Sequence, residues 1–107
     1  MKFSDIKFLE HNWRYESSVG LYIRGYWVPK SLIDLMCASA VESLPTLDWS
    51  RKQGVVTIFG NKKNWVSLSI GVRIALGRCL KYFVAQGMLP ISEANPGKKG
   101  PRKYVRK

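Results

Sequence analysis

Side chains that could hold a phosphate group are concentrated in three short stretches of the second half of the chain. Arginine and lysine form charge-assisted hydrogen bonds with phosphate oxygens, and asparagine and serine can add neutral ones. The candidate residues are Asn61, Lys62, Lys63, Asn64, Ser67, Ser69, Arg73, Lys98, Lys99, Arg102 and Lys103. Their types favour the binding of a polyanion over a chemical reaction.

Residue sets for catalysis or metal binding are missing from the pattern. The sequence has no paired carboxylates at a functional spacing, no cysteine near a histidine and no phosphate-cradling glycine loop. One histidine and two distant cysteines, Cys37 and Cys79, cannot form a zinc cage. We therefore expect no enzyme, no cofactor and no metal, and we expect two buried thiols rather than a disulfide.

The charge is distributed unevenly along the chain. The net charge is +11, yet residues 1–48 contain five cations and six acids, whereas residues 49–107 contain thirteen cations and one acid, Glu93. A field of one sign attracts polyanions, and the release of counterions from a phosphate backbone drives binding. The asymmetry favours a nucleic-acid partner. An anionic membrane is less favoured, because no exposed apolar face accompanies the charge.

The length of 107 residues is typical of one domain with a single core. We divide it into an N-terminal extension (1–28), a helical core (29–93) and a basic wing or tail (94–107). No apolar run approaches the roughly 18 residues of a membrane span, and the first residues lack the apolar segment of a signal peptide. We expect a cytoplasmic protein that acts at the nucleoid and does not bind a membrane.

A long helix is the clearest of the elements that must position the basic residues. Residues 66–86 are predicted to form it, with Ser67 or Ser69 as the N-cap and Gly87 as the stop. At about 100° per residue, its apolar face consists of Val72, Leu76, Cys79, Leu80 and Phe83. The opposite side carries Arg73, Arg78 and Lys81.

Two elements are predicted before this helix, in the nearly neutral half of the chain. Alternating side chains over residues 19–27 predict a strand, and residues 30–44 predict a helix between Pro29 and Pro45. The residues expected to face inward from that helix are Leu32, Leu35, Met36, Ala40 and Leu44.

Short elements are predicted around the long helix. Residues 54–59 are expected to begin as a strand, and residues 60–64 to form a turn or a short irregular helix. Residues 88–91 and 102–107 predict two more strands joined by a turn-rich loop, with Tyr104 on one face of the second. The expected fold class is α+β.

The order of elements from residue 55 onwards resembles the winged helix-turn-helix proteins of bacterial and phage gene regulation. The opening of their recognition helix is similar to V-S-L-S-I-G-V-R-I-A-L, and its ending to F-V-A-Q-G-M-L. The strand before the motif is similar to V-V-T-I, and the wing to G-K-K-G-P-R-K-Y-V. The resemblance covers about half of the chain, with residues 30–44 as the leading helix. It implies a winged helix-turn-helix with an N-terminal strand and helix extension.

The resemblance also implies a role for each polar group. The recognition helix would enter the major groove with Ser67, Ser69 and Arg73 near base edges, where Arg73 could form a bidentate contact with guanine. Residues 61–64 would contact the flanking backbone, and the basic residues between 98 and 103 would reach the minor groove or phosphates. A homodimer is expected, because one short recognition helix rarely provides enough specificity.

Double-stranded DNA is the expected partner, bound by a small sequence-specific transcriptional regulator, but two alternatives stay open. An RNA-binding or ribosome-associated domain would use the same charge without reading base edges. A phage or plasmid accessory protein could bind an acidic host protein through the basic face. Trp65 lies among basic residues and is a candidate platform for stacking a base, whereas the other tryptophans are expected in the core or at its rim.

Overall fold

The computed structural model describes residues 20–23, 25–94 and 102–107. The elements in chain order are β1 (Gly20–Ile23), β2 (Tyr26–Pro29), α1 (Lys30–Ser43), a 3-10 turn (Leu44–Thr46), β3 (Gln53–Gly54), α2 (Val55–Phe59), α3 (Lys62–Ser67), α4 (Ile70–Ala85), β4 (Ile91–Glu93) and β5 (Lys103–Arg106). This mixture of helices and small antiparallel sheets confirms the α+β class. None of the described helices is long and apolar enough to cross a bilayer.

The single strand predicted over residues 19–27 is wrong, because the described part of this segment forms a β-hairpin. β1 and β2 pair antiparallel with Ile23 opposite Tyr26. Gly25 forms the turn with φ of 82°, a left-handed conformation that glycine adopts without a steric penalty. The apolar and aromatic residues on both sides of this turn continue the same alternation, so the period-two pattern concealed it.

Helix α1 is confirmed, with one change in the face it buries. Met36, Ala40 and Leu44 are buried as predicted, and Leu32 is half-buried, but Leu35 is exposed. Ile33 and Cys37 are buried in addition. The buried face of α1 therefore differs from the predicted one, because the hairpin, α2 and α4 all pack against this helix.

Helix α2 replaces most of the strand predicted over residues 54–59. Only β3 is extended, and Gly54 then serves as the N-cap of α2. Ile58 and Phe59 are buried, and the hydroxyl of Ser43 on α1 donates a hydrogen bond to the carbonyl of Ile58. Gly60, with φ of 91°, ends the helix. The β-branched run V-V-T-I favours a strand locally, but packing against α1 decides for a helix.

The long helix predicted from residue 66 is two helices, because the backbone of Leu68 is extended with ψ of 151°. Ser69 caps α4, which therefore begins one turn later than predicted. The stop at Gly87 is confirmed by its φ of 69°. The predicted apolar face is also confirmed, with Val72 half-buried and four members buried, namely Leu76, Cys79, Leu80 and Phe83.

The three strands β3, β4 and β5 form one antiparallel sheet in the order β3-β5-β4. Tyr104 on β5 lies opposite both Gln53 and Glu93 and is almost completely buried. The predicted return strand is thus confirmed, and the structure shows that the face with Tyr104 is the buried one. The strand predicted at residues 88–91 forms three residues later than expected, because Pro90 has no N–H to donate to a ladder.

Candidate nucleic-acid interface

The polar group at residues 61–64 forms the first turn of α3. Asn61 is the N-cap, and its side-chain oxygen accepts a hydrogen bond of 3.0 Å from the backbone N–H of Asn64. Lys62 and Lys63 follow and are exposed. Neither lysine forms an ion pair with another described residue. Both ammonium groups can therefore approach an external phosphate, whereas Asn61 is needed to begin the helix.

Each of the two candidate serines forms one local hydrogen bond at a helix end, Ser67 in the last turn of α3 and Ser69 in the first turn of α4. Ser67 Oγ donates to the carbonyl of Asn64 at 2.6 Å. Ser69 Oγ accepts from the backbone N–H of Val72 at 3.3 Å. Both residues remain exposed. A hydroxyl engaged in one such bond can still form another, so each serine can contact a ligand as well.

Arg73 connects α4 to the end of α3. Its Nε donates to the carbonyl of Leu68 at 3.0 Å, and its Nη2 donates to the carbonyl of Val66 at 2.8 Å. A helix end leaves carbonyl groups without helical partners, and a guanidinium can satisfy two of them at once. In this structure Arg73 therefore shapes the turn between the two helices, and a contact with a base would use its remaining donors.

Two isoleucines at the start of α4 were missed by the sequence reasoning. Ile70 is 71% exposed and Ile74 is 49% exposed, one helical turn apart on the side opposite the buried face. Val66, near the end of α3, is also exposed. Helical periodicity could have predicted their exposure, because it places Ile70 and Ile74 on the side of the helix opposite Leu76 and Leu80. Such groups suit contact with the methyl group of thymine.

The basic residues at the start of β5 lie beside the middle of α4. Arg102 and Lys103 share a surface cavity with Gly77. Arg102 Nε forms an ion pair of 3.1 Å with Glu93 on β4, whereas Lys103 is exposed. The two other candidates in this stretch, Lys98 and Lys99, lie outside the described residues.

Arg78 and Lys81, predicted on the side of the helix opposite the apolar face, are half-buried on the late part of α4. The guanidinium of Arg78 lies 3.6 Å from the ring centroid of Tyr26 on β2, a close cation–π contact. The hairpin therefore covers part of the basic side of α4. The sequence contained no signal for this contact, because it joins residues that are far apart in the chain.

Trp65 is not an exposed stacking platform, which corrects the hypothesis from the sequence. It is 8% exposed, and its ring meets the ring of Phe59 edge-to-face at 5.3 Å between centroids. The two cysteines are buried free thiols, as predicted. Burial raises the pKa of Cys79 to about 12, so its thiolate is scarce at neutral pH.

The structure brings the described candidates together in two groups around α4. One group extends along α3 to its junction with α4, with Asn61, Lys62, Lys63 and Asn64 at the start of α3 and Ser67, Ser69 and Arg73 at the junction. The start of β5 holds the other, Arg102 and Lys103, next to Gly77. Several of these residues support the local backbone, so the exposed lysines and the exposed turn of α4 are the parts best placed to meet a partner.

Comparison with protein families, with curated protein sequences and with solved structures found no match. The connectivity, the charge and the exposed groups of the chain are therefore the features that bear on its function.

Proposed function

We propose that this protein is a small transcriptional regulator that binds double-stranded DNA in a sequence-specific manner through a winged helix-turn-helix. The connectivity carries the proposal. Helix α4 leads directly into the β4–β5 hairpin, and β5 returns to pair with β3, the strand before α2. That arrangement places a hairpin beside a long helix, as a wing stands beside a recognition helix.

The charge supports the same proposal. Thirteen of the 18 cations lie in residues 49–107, the half that contains α3, α4 and β5. Lys62 and Lys63 are exposed at the start of α3, the short helix that precedes α4, and Lys103 stands beside the middle of α4. A duplex that receives the first turn of α4 in its major groove would have phosphates within reach of both flanks.

The residues proposed to read bases are those exposed at the start of α4. Ile70 and Ile74 would pack on thymine methyl groups, Ser69 would contact a base edge or phosphate, and the donors of Arg73 not used by the backbone would face guanine. One short helix reads few base pairs, so we propose a homodimer on a two-fold symmetric site at the nucleoid.

The proposal is tested by selection of binding sites from a random duplex library, followed by fluorescence anisotropy at 50 and 200 mM salt with heparin as competitor. We expect an enriched sequence that is bound more tightly than scrambled duplex and hairpin RNA. With six to ten phosphate contacts, the affinity would fall by about 10³–10⁵ over this salt range. Equal binding of duplex, RNA and heparin would contradict the proposal. The absence of binding at low salt would contradict it in favour of a protein partner.

A charge-matched pair of variants locates the interface. Lys62→Gln combined with Lys63→Gln removes two exposed cations at the start of α3, and should reduce the salt slope of log Kd by about 2. Arg51→Gln combined with Lys52→Gln removes two neighbouring exposed cations from the loop before β3 and should leave the slope nearly unchanged. An equal decrease of the salt slope in both double variants would show that the overall charge, and not a defined interface, determines the binding.

A further inference from the structure

A groove with a volume of about 620 Å³ lies between the N-terminal hairpin and the second half of α4. The exposed side of α4 lines it with Ile74, Gly77, Lys81 and Ala85, and Arg102 contributes from the start of β5. The hairpin contributes Tyr22 and Tyr26. This size lies within the range of small-ligand sites. The duplex interface proposed above shares Ile74 with this groove but gives no role to Tyr22, Tyr26 and Lys81.

The two hairpin tyrosines are held in place although they are exposed. Tyr22 is 73% exposed and Tyr26 is 55% exposed. The ring of Tyr22 contacts the ring of Trp27 at 5.0 Å between centroids, and the ring of Tyr26 carries the guanidinium of Arg78 at 3.6 Å. Rings that are oriented before a ligand arrives lose little entropy when one binds, and a planar base can stack on them.

The charge of the groove is of one sign. Arg78, Lys81 and Arg102 line it, and no acidic residue lies among the described lining residues. Glu93 pairs with Arg102 Nε and thereby fixes the direction of that guanidinium. Lys81 has no ion pair with another described residue. The lining therefore combines aromatic rings with cations, which matches a ligand that has both a flat base and a phosphate.

We propose that this groove binds an unpaired nucleotide, with the base stacked on a hairpin tyrosine and the phosphate between Lys81 and Arg102. The nucleotide could be free or could belong to a single strand. Both sources present the same chemistry. The proposal does not depend on duplex recognition, because Tyr26 and Lys81 take no part in the duplex interface proposed above, although Ile74 and Arg102 border both sites.

The experiment measures binding of the full chain to four probes at 50 mM salt. The probes are inorganic phosphate, AMP, fluorescein-labelled (dT)8 and an abasic octamer of the same length, studied by calorimetry or by anisotropy. Saturable binding of AMP supports a free nucleotide as the source, and binding of (dT)8 without AMP supports a strand. Failure of both, or equal affinity for (dT)8 and the abasic octamer, overturns the proposal.

Variants connect the binding to the groove. Tyr26→Leu and Lys81→Gln should each weaken binding of the positive probe by at least about fivefold, whereas Tyr26→Phe keeps the ring and should bind like the natural chain. Lys63→Gln is the charge-matched control for Lys81→Gln and should change the affinity less than twofold. Equal effects of Lys63→Gln and Lys81→Gln would overturn the proposal, provided that thermal unfolding shows both variants folded. If the chain binds (dT)8 but does not bind duplex DNA, that result would contradict only the proposal that it is a transcriptional regulator.

Discussion

At the scale of single residues, several polar side chains near α4 form hydrogen bonds with the backbone in addition to facing the surface. Asn61 and Ser69 cap the two helices on either side of the extended residue Leu68, and Arg73 bonds to carbonyl groups of the segment between them. Loss of an N-cap typically costs about 1 kcal/mol of stability. A substitution at any of these positions would thus change a helix end or the junction before it changed a contact with a partner.

Replacement of Arg73 by alanine should lower the free energy of unfolding by about 1.5 kcal/mol, because two carbonyl groups lose a charged donor. Arg73→Lys should recover only part of this loss, since an ammonium does not reproduce the flat fork that reaches both oxygens. Urea denaturation of the free protein measures both changes. Unchanged stability together with reduced DNA affinity would assign Arg73 to base contact alone.

At the scale of elements, glycines separate the helices and also weaken one of them. Gly60 ends α2 in a left-handed conformation, and a Cβ there would lie 3.1 Å from the Cβ of Ser43. Gly71 lies in the first turn of α4 with a helical backbone, where a Cβ would meet nothing within 4 Å. The same amino acid is therefore required at one position and costs stability at the other.

Two glycine-to-alanine changes should consequently have opposite effects. Gly71→Ala should raise the free energy of unfolding by roughly 0.5–1 kcal/mol, because alanine restricts the unfolded chain and fits the helix. Gly60→Ala should lower it by about 1–2 kcal/mol through the left-handed strain and the contact with Ser43. Chemical denaturation measures both changes, and matching m-values show that the surface exposed on unfolding is the same in the variants and the natural chain. A loss of stability in Gly71→Ala would show that α4 does not extend to this turn.

At the scale of the whole molecule, burial in the core favours the neutral form of two ionisable side chains, Cys79 and Tyr104. Burial raises the pKa of Cys79 on α4 to about 12. Burial, and secondarily the charge of Glu93, raises the pKa of Tyr104 on β5 to about 12. The unfolded chain releases these protons near pH 9 for the thiol and near pH 10 for the phenol. Folding thus keeps protons that the unfolded chain loses, and the stability they contribute is present below about pH 9 and decreases toward pH 12.

The free energy of unfolding should therefore fall as the pH rises from about 9 to 11, and Tyr104→Phe should fall less steeply above pH 10 because it has no phenol to ionise. Denaturation curves at each pH measure the slope for both proteins. Comparison of the two slopes removes the common effect of lysine deprotonation. Identical slopes would show that Tyr104 ionises as readily in the folded chain as in the unfolded one.

The sequence by itself determined the features that depend on neighbouring residues. Ser69, Gly87 and the buried face with Leu76 and Leu80 are readable because capping and helical periodicity act within one or two turns. The concentration of charge in the second half is likewise a property of the chain itself. Strand alternation also separates Tyr104 from its neighbours on β5, whereas the structure decides that its face is the buried one.

Only the tertiary structure decided the features that join distant residues. Helix α2 forms despite its β-branched residues because Ile58 packs beside α1, and Arg78 meets Tyr26 because the hairpin folds back on α4. The turn at Gly25 and the groove beside Lys81 were likewise visible only in the tertiary structure. Local propensities differ by no more than about 1 kcal/mol per residue, whereas burial of a large side chain is worth about 1.5–3 kcal/mol, so packing overrides local preference where the two disagree.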